Sequence, residues 1–165
     1  MLITTLLHAA EALAEQLESR SLILATAESC TGGWVSQALT EISGSSNWFE
    51  RGFVTYSNEA KQEMLGVPSS VIEQQGAVSR ETACAMVAGA LKYSHANVAL
   101  SVTGIAGPTG GTPDKPVGLV WFAWATAEDK IMAEKRIFSG DRHHIRQQAV
   151  LHAIEGMFSR LSALS

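Results

Sequence analysis

The chain has 165 residues, of which 46% are hydrophobic and 17% charged, a balance typical of one globular domain with a substantial core. A formal net charge of −4, with no Lys/Arg run interleaved with aromatic residues, argues against nucleic-acid binding. The apolar stretches end well before the ~20 residues that span a bilayer, and the first twenty residues carry three glutamates instead of a basic signal-peptide start. We therefore expect a cytoplasmic protein with a single domain, residues 1–165, that binds neither nucleic acid nor membrane.

Helical and strand-like patterns alternate along the chain. Apolar residues at three- and four-residue spacings predict the first helix over 2–19, and a buried strand follows it. Later helices are marked by candidate caps at Ser70, Ser79 and Asp141. In chain order, we predict helix 2–19, strand 22–27, helix 33–41, strand 52–56, helix 58–65, a helical turn from Ser70, helix 79–95, strands 98–103, 117–127 and 131–138, and a last helix from Asp141.

The strands at 117–127 and 131–138 are separated by three residues, which is short enough only for an antiparallel hairpin. The remaining strands alternate with helices, a pattern typical of parallel strands with helices on both faces. We therefore predict an α/β fold: a three-layer α/β/α sandwich with a mixed, mostly parallel sheet and a C-terminal hairpin followed by a helix.

The turn at 26–33, Thr-Ala-Glu-Ser-Cys-Thr-Gly-Gly, directly follows a buried strand. Ligands of α/β sheets lie beyond the carboxyl ends of the strands, and the glycine pair allows close approach to a bound group. Ser29 and Cys30 are both candidate nucleophiles, and the amides at the start of the next helix could hold an oxyanion. The alternatives are an N-cap role for Ser29 and a buried packing role for Cys30.

The segment 55–61 supplies a candidate base. A serine needs a base to become a nucleophile, and a lysine can serve if burial lowers its pKa. Lys61 is that candidate, and the alternative is a solvated lysine on a short helix. Tyr56 adds a phenol nearby, or else it is a core or rim aromatic residue.

Two further loops follow strands and carry groups suited to anions. The loop 103–116 is rich in glycine but lacks both the P-loop ending and the dinucleotide spacing, so it predicts an anion nest, a lid or a rigid connection. Arg142, near the start of the last helix, is placed to bind phosphate or carboxylate, with a solvated side chain as the alternative. The five histidines show no metal-ligand spacing, so we expect no metal. His143 and His144 are expected at the surface.

Five segments, 26–33, 52–61, 76–79, 101–111 and 138–142, together resemble the CinA C-terminal domain family, and within it the stand-alone nicotinamide-nucleotide amidases. The resemblance covers essentially the whole chain. It implies hydrolysis of the carboxamide of nicotinamide mononucleotide to nicotinate mononucleotide and ammonia, in pyridine-nucleotide (NAD) salvage. It implies no cofactor.

The same resemblance implies roles for individual residues. Ser29 would attack the amide carbonyl, Lys61 would take the serine proton and later protonate the leaving ammonia, and Tyr56 would orient or relay within that pair. The residues implied to hold the oxyanion or the substrate are Cys30, Thr31, Gly32, Gly33, Thr103, Gly104, Gly107 and Arg142.

Two other functions remain open at this point. One is an inactive nucleotide-binding or regulatory module linked to competence or DNA damage, and the other is a thiol enzyme that uses Cys30. The exposed apolar residues expected of a small α/β enzyme also make a homodimer our expectation.

Overall fold

The computed structural model of the protein describes residues 2–128 and 130–164. Periodic apolar residues form the helices, and β-branched or small apolar runs form the strands between them. The strands are β1 (Leu24–Glu28), β2 (Phe49–Val54), β3 (Val98–Gly104), β4 (Leu119–Thr126) and β5 (Met132–Ile137). The helices are α1 (Leu2–Ser19), α2 (Trp34–Thr40), α3 (Asn58–Leu65), α4 (Ser69–Gln75), α5 (Arg80–Lys92) and α6 (Arg142–Ala163), with a 3₁₀ turn at Ser45–Asn47.

The described strands form one mixed sheet in the order β2-β1-β3-β4-β5. β1 pairs in parallel with β2 and β3, whereas β4 is antiparallel to both β3 and β5. Four of the five strands therefore point in one direction. The α/β class and the C-terminal hairpin predicted from the sequence are confirmed, while Asp129 in the hairpin connection lies outside the described residues.

Side chains alternate along the strands between a large-residue face and a small-residue face. Leu24, Leu100 and Phe122 pack with α1, α2 and α6, whereas Ala25 and Ala99 pack with α5 and the end of α3. Small residues on the second face let α5 lie close to the sheet. The helices therefore cover both faces, which gives the three predicted layers.

The register aligns the ends of the three parallel strands. Glu28, the last residue of β1, is paired with Val54 of β2 and with Val102 of β3. The segments that follow β1 and β2 therefore start at the same level of the sheet, beside the last two residues of β3. This alignment brings Ser29, Thr55 and Thr103 to one edge.

Helix caps and element ends differ from the predictions in a few places. Ser79 and Asp141 cap α5 and α6 as predicted, accepting from the Thr82 and His144 amides. Ser70 does not cap α4, since Pro68 occupies the N-cap position and Ser70 lies inside the helix. None of the described helices combines the length and apolarity needed to cross a membrane.

Candidate active site

Ser29 is the first residue after β1, and its amide donates to the Val102 carbonyl at 3.0 Å. It is buried and is one of the residues that line a cavity. The N-cap alternative is wrong, because α2 begins five residues later, behind Gly33. Gly32 and Gly33 have φ values of 60° and 99°, a region that disfavours side-chain-bearing residues, so the glycine pair shapes this turn.

Lys61 lies on α3 with only 1% of its surface exposed. Its Nζ donates to Ser29 Oγ at 3.0 Å, to the Thr55 carbonyl at 3.0 Å and to the Tyr56 carbonyl at 3.3 Å. Burial lowers the pKa of Lys61, since desolvation penalises the ammonium form. The alternative of a solvated lysine is therefore wrong.

Cys30 is also buried, and burial favours the neutral form of its thiol. Burial raises the pKa of Cys30 to about 12. A thiol with that pKa is almost entirely protonated at neutral pH, whereas the reactive nucleophile is the thiolate. The structure thus favours the packing role of Cys30 over a thiolate nucleophile.

Glu28 is a functional residue that the sequence interpretation missed. Its fully buried carboxylate accepts from the Val35 and Ser36 amides at 2.8 and 3.0 Å, and from the Thr31 and Ser36 hydroxyls at 2.7 and 2.8 Å. The first N–H groups of a helix have no acceptor within the helix. Glu28, which directly precedes Ser29, supplies that acceptor for two of them at the start of α2. An acidic residue at the end of an apolar strand was the signal that could have found it.

Arg146 was also missed. Its Nε donates to the Cys30 carbonyl at 3.0 Å and its Nη2 donates to the Thr31 carbonyl at 3.2 Å. The guanidinium carbon lies 5.5 Å from the ring centroid of Trp34. Its position one helical turn after Arg142 was the only sequence signal that linked it to the site.

Arg142 joins two loops at the mouth of the cavity. Its Nη1 donates to the Gly107 carbonyl at 2.8 Å, and its Nη2 donates to the Tyr56 hydroxyl at 3.0 Å. Tyr56 is 61% exposed, so it is a rim aromatic residue. Its phenol contacts Arg142, and only its backbone carbonyl contacts Lys61.

Thr103 and Gly104 line the cavity from the end of β3. The Thr103 hydroxyl donates to the Ala77 carbonyl at 2.8 Å and so ties the loop before α5 to the sheet. A Cβ at Gly104 would lie 2.7 Å from Val120 Cγ2, so close strand packing requires glycine there.

The cavity has a volume of about 280 Å³, near the lower end of the ~300–1,000 Å³ typical of small-molecule sites. Thr31, Gly32 and Gly33 lie outside its lining, behind Ser29. Within the described residues, no group of three or more His, Cys, Asp or Glu side chains could hold a metal ion. The predicted site residues that line the cavity are Ser29, Cys30, Tyr56, Lys61, Thr103, Gly104, Gly107 and Arg142.

The chain is similar to a known family profile, to named proteins and to solved structures. The CinA C-terminal domain profile matches residues 7–161. The nicotinamide-nucleotide amidohydrolase PncC of Escherichia coli K12 is 49% identical over 155 residues, covering 94% of each chain. A putative competence-damage inducible protein of Thermoanaerobacter pseudethanolicus is 50% identical over 88% of this chain and 35% of its own length. The crystal structure of the competence/damage inducible protein CihA from Agrobacterium tumefaciens superposes with a TM-score of 0.92 at 45% identity, covering 96% of each chain.

The fold and a buried serine–lysine site are those of a small α/β enzyme. The chain belongs to the CinA C-terminal domain family, whose profile covers nearly all of it. Within that family it is an amidase, since relatives named as amidohydrolases match it at 49% identity along 94% of its length.

Proposed function

We propose that the protein hydrolyses the carboxamide of nicotinamide mononucleotide to nicotinate mononucleotide and ammonia, with Ser29 as nucleophile and Lys61 as base. The observation that carries the mechanism is the 3.0 Å contact between Lys61 Nζ and Ser29 Oγ inside the cavity. The substrate is taken from the names of relatives that align along nearly the whole chain.

In the first half of the reaction, neutral Lys61 accepts the Ser29 hydroxyl proton while Oγ attacks the amide carbon. The carbonyl oxygen then carries a negative charge in a tetrahedral intermediate. Collapse of that intermediate breaks the C–N bond, and the Lys61 ammonium donates its proton to the leaving nitrogen. The products of this half are ammonia and an ester between the nicotinoyl group and Ser29.

In the second half, Lys61 takes a proton from water, whose oxygen attacks the ester carbon. The ester bond breaks, Ser29 recovers its proton, and nicotinate mononucleotide leaves. From the turn at 29–33, the Cys30 amide stabilises the oxyanion in both halves, since Cys30 lines the cavity and the Ser29 amide already donates to the Val102 carbonyl. The Thr103–Gly104 segment lines the same cavity and is a second candidate for this task.

Arg142 and the loop around Gly107 are proposed to hold the 5′-phosphate. Among the described residues Arg142 makes two hydrogen bonds, and a guanidinium has five N–H donors, so three are left there for a ligand. Its position in the first turn of α6 adds the positive end of the helix dipole. Tyr56, which accepts from Arg142, then orients the clamp instead of relaying a proton.

The decisive experiment measures ammonia release from nicotinamide mononucleotide by the purified protein and by two single variants. Ser29→Ala is expected to reduce kcat at least about a thousandfold, as loss of a nucleophile does. Cys30→Ala is the matched control, because it changes the neighbouring residue of similar size, and we expect it to stay within a few-fold of the wild type.

Each alternative gives a different result in the same assay. Near-normal turnover by Ser29→Ala together with an inactive Cys30→Ala would assign the nucleophile to the thiol. Tight binding of the nucleotide without ammonia release by the wild type would instead identify a regulatory nucleotide-binding module.

A further inference from the structure

Arg146 is a charged residue of α6 that the mechanism above does not use. It is half-buried, and two of its nitrogens donate to carbonyls of the turn that carries Ser29. The Trp34 ring under the guanidinium restricts its position. These contacts fix a positive charge against the turn that carries Ser29.

The two acceptors belong to the two residues that follow Ser29 in the turn. Cys30 lines the cavity beside Ser29, whereas Thr31 is fully buried and does not line it. The Ser29 and Gly32 amides already donate to the Val102 and Ser29 carbonyls at 3.0 Å each. The Cys30 amide is therefore the amide of this turn that is best placed to donate to an oxyanion in the cavity.

A guanidinium that donates to two consecutive carbonyls holds both peptide groups in one orientation. Nε and Nη2 of Arg146 hold the Cys30 and Thr31 carbonyls in this manner, at 3.0 and 3.2 Å. The orientation of Cys30, and with it that of the Cys30 amide, therefore depends on Arg146.

We propose that Arg146 is a positioning residue for amide hydrolysis, which fixes the turn at 29–33 so that the Cys30 amide lies where it stabilises the oxyanion. This inference rests on the proposed function. Arginine suits the task because its planar fork reaches two adjacent carbonyls, which the single ammonium of lysine does not hold in the same geometry.

The test compares Arg146→Met and Arg146→Lys with Arg51→Met as the matched control. Arg51 also donates to a backbone carbonyl, that of Tyr93 at 2.9 Å, and it lies outside the cavity lining. We expect Arg146→Met to lower kcat about 10- to 100-fold, by analogy with the range for residues that orient metal ligands, with KM nearly unchanged. Arg146→Lys should recover part of kcat, and Arg51→Met should match the wild type.

A second readout separates oxyanion stabilisation from a structural role. Each protein is also assayed on the thioamide analogue of nicotinamide mononucleotide, whose sulfur accepts hydrogen bonds weakly. We expect the preference of the wild type for the oxygen amide to shrink at least about threefold in Arg146→Met, because displacing the donor amide costs an oxyanion more than it costs the weakly accepting sulfur anion. Thermal unfolding of every variant checks that it is folded, and Arg146→Lys carries the comparison if Arg146→Met is not.

The possible outcomes are distinct. An unchanged kcat in the folded variants, or a lower kcat with the oxygen-to-sulfur preference intact, would overturn the proposed role of Arg146. A wild type that releases no ammonia would overturn the proposed function, and this inference with it.

Discussion

At the scale of single residues, the proposed chemistry depends on a lysine that is buried beside neutral groups. The described contacts of Lys61 Nζ are the Ser29 hydroxyl and two backbone carbonyls. The carbonyls favour the ammonium form, but desolvation is the largest influence and lowers the pKa. The same burial that makes Lys61 a usable base should therefore cost stability.

Lys61→Met removes the amine and keeps much of the apolar stem. Because the pKa of Lys61 is lowered in the folded protein, the unfolded chain binds a proton that the folded chain does not, at pH values between the lowered pKa and about 10.4. The stability of the wild type therefore rises with pH across that window. We expect the free energy of unfolding of Lys61→Met, relative to the wild type, to be highest at neutral pH and to fall towards pH 10.

Urea unfolding at pH 7 and pH 9.5 measures this difference. The methionine leaves the Thr55 and Tyr56 carbonyls without the Nζ donor, which lowers stability by the same amount at both pH values. If the difference in free energy of unfolding between variant and wild type were the same at both pH values, Lys61 would have the same pKa in the folded and the unfolded chain. Lys61→Met should also lose ammonia release.

Glu28 is the residue on which the shape of the catalytic turn depends. Its carboxylate receives four donors from Thr31, Val35 and Ser36. In Glu28→Gln, the side-chain NH₂ group, itself a donor, would face N–H and O–H donors that then lack an acceptor. The variant should therefore lose about 1–3 kcal/mol of stability, the cost of a buried unpaired polar group. We expect kcat to fall as well, because the turn that carries Ser29 is no longer held.

Chemical denaturation and ammonia release measure the two effects. Glu41→Gln is the matched control, since Glu41 is exposed and accepts only from Gln37 among the described side chains. Its stability should stay within about 0.5 kcal/mol of the wild type. Equal stability of Glu28→Gln and Glu41→Gln would contradict the role assigned to Glu28.

Some residues of the candidate site could be predicted from the sequence, and others could not. Ser29, Lys61 and Arg142 were found because each follows a predicted strand, and segments after parallel strands meet at one sheet edge. Glu28 and Arg146 were missed because they act on backbone groups of the turn. Such contacts depend on how α2 and α6 pack, which a local pattern does not encode.

At the scale of elements, the helices and strands were predictable from periodicity, but their ends and packing distances were not. The predicted helix 79–95 ends at Lys92, and β2 begins at Phe49 instead of at residue 52. Gly89 is an example of a hidden packing constraint. It lies buried in α5, and a Cβ there would be 2.0 Å from the Leu65 carbonyl oxygen at the end of α3.

Gly89→Ala should therefore push α3 away from α5. Because the obstacle is backbone, the clash cannot be relieved by a side-chain rotation, and overpacking of this kind costs about 1–3 kcal/mol. Helix propensity alone would predict a gain from the same substitution. Since α3 carries Lys61, we expect lower kcat together with a lower melting temperature.

The control is Ala88→Ser, one residue earlier on the exposed side of α5. It should change stability and turnover little. If Gly89→Ala were as stable as the wild type, α3 and α5 would have room to separate, and the close packing would not be a constraint on the site.

At the scale of the whole molecule, the site is assembled from segments far apart in the chain. Ser29 comes from the first strand, Lys61 from the second crossover, and Arg142 from the last helix. The cavity therefore exists only when the complete sheet is formed. The homodimer expected from the sequence stays a prediction, which sedimentation velocity at several protein concentrations measures directly.

A substrate that binds only the folded state should stabilise the entire molecule. Ser29→Ala lets nicotinamide mononucleotide bind without turnover. At a concentration about 100 times Kd, binding adds about 2.7 kcal/mol, which corresponds to a melting-temperature increase of roughly 5–10 °C for a chain of this size. Nicotinamide riboside, which lacks the phosphate, should give a smaller increase at the same concentration.

The difference between these two ligands isolates the contribution of the phosphate clamp. Adding Arg142→Met to Ser29→Ala should remove most of that difference, because the charge-assisted contacts to phosphate are lost. Adding Arg80→Met instead is the control, since Arg80 lies on α5 outside the cavity lining and should leave the difference intact. After Arg142→Met, the mononucleotide could still raise the melting temperature as far above the riboside as before. In that case the phosphate would bind elsewhere, and Arg142 would serve only to join Tyr56 to Gly107.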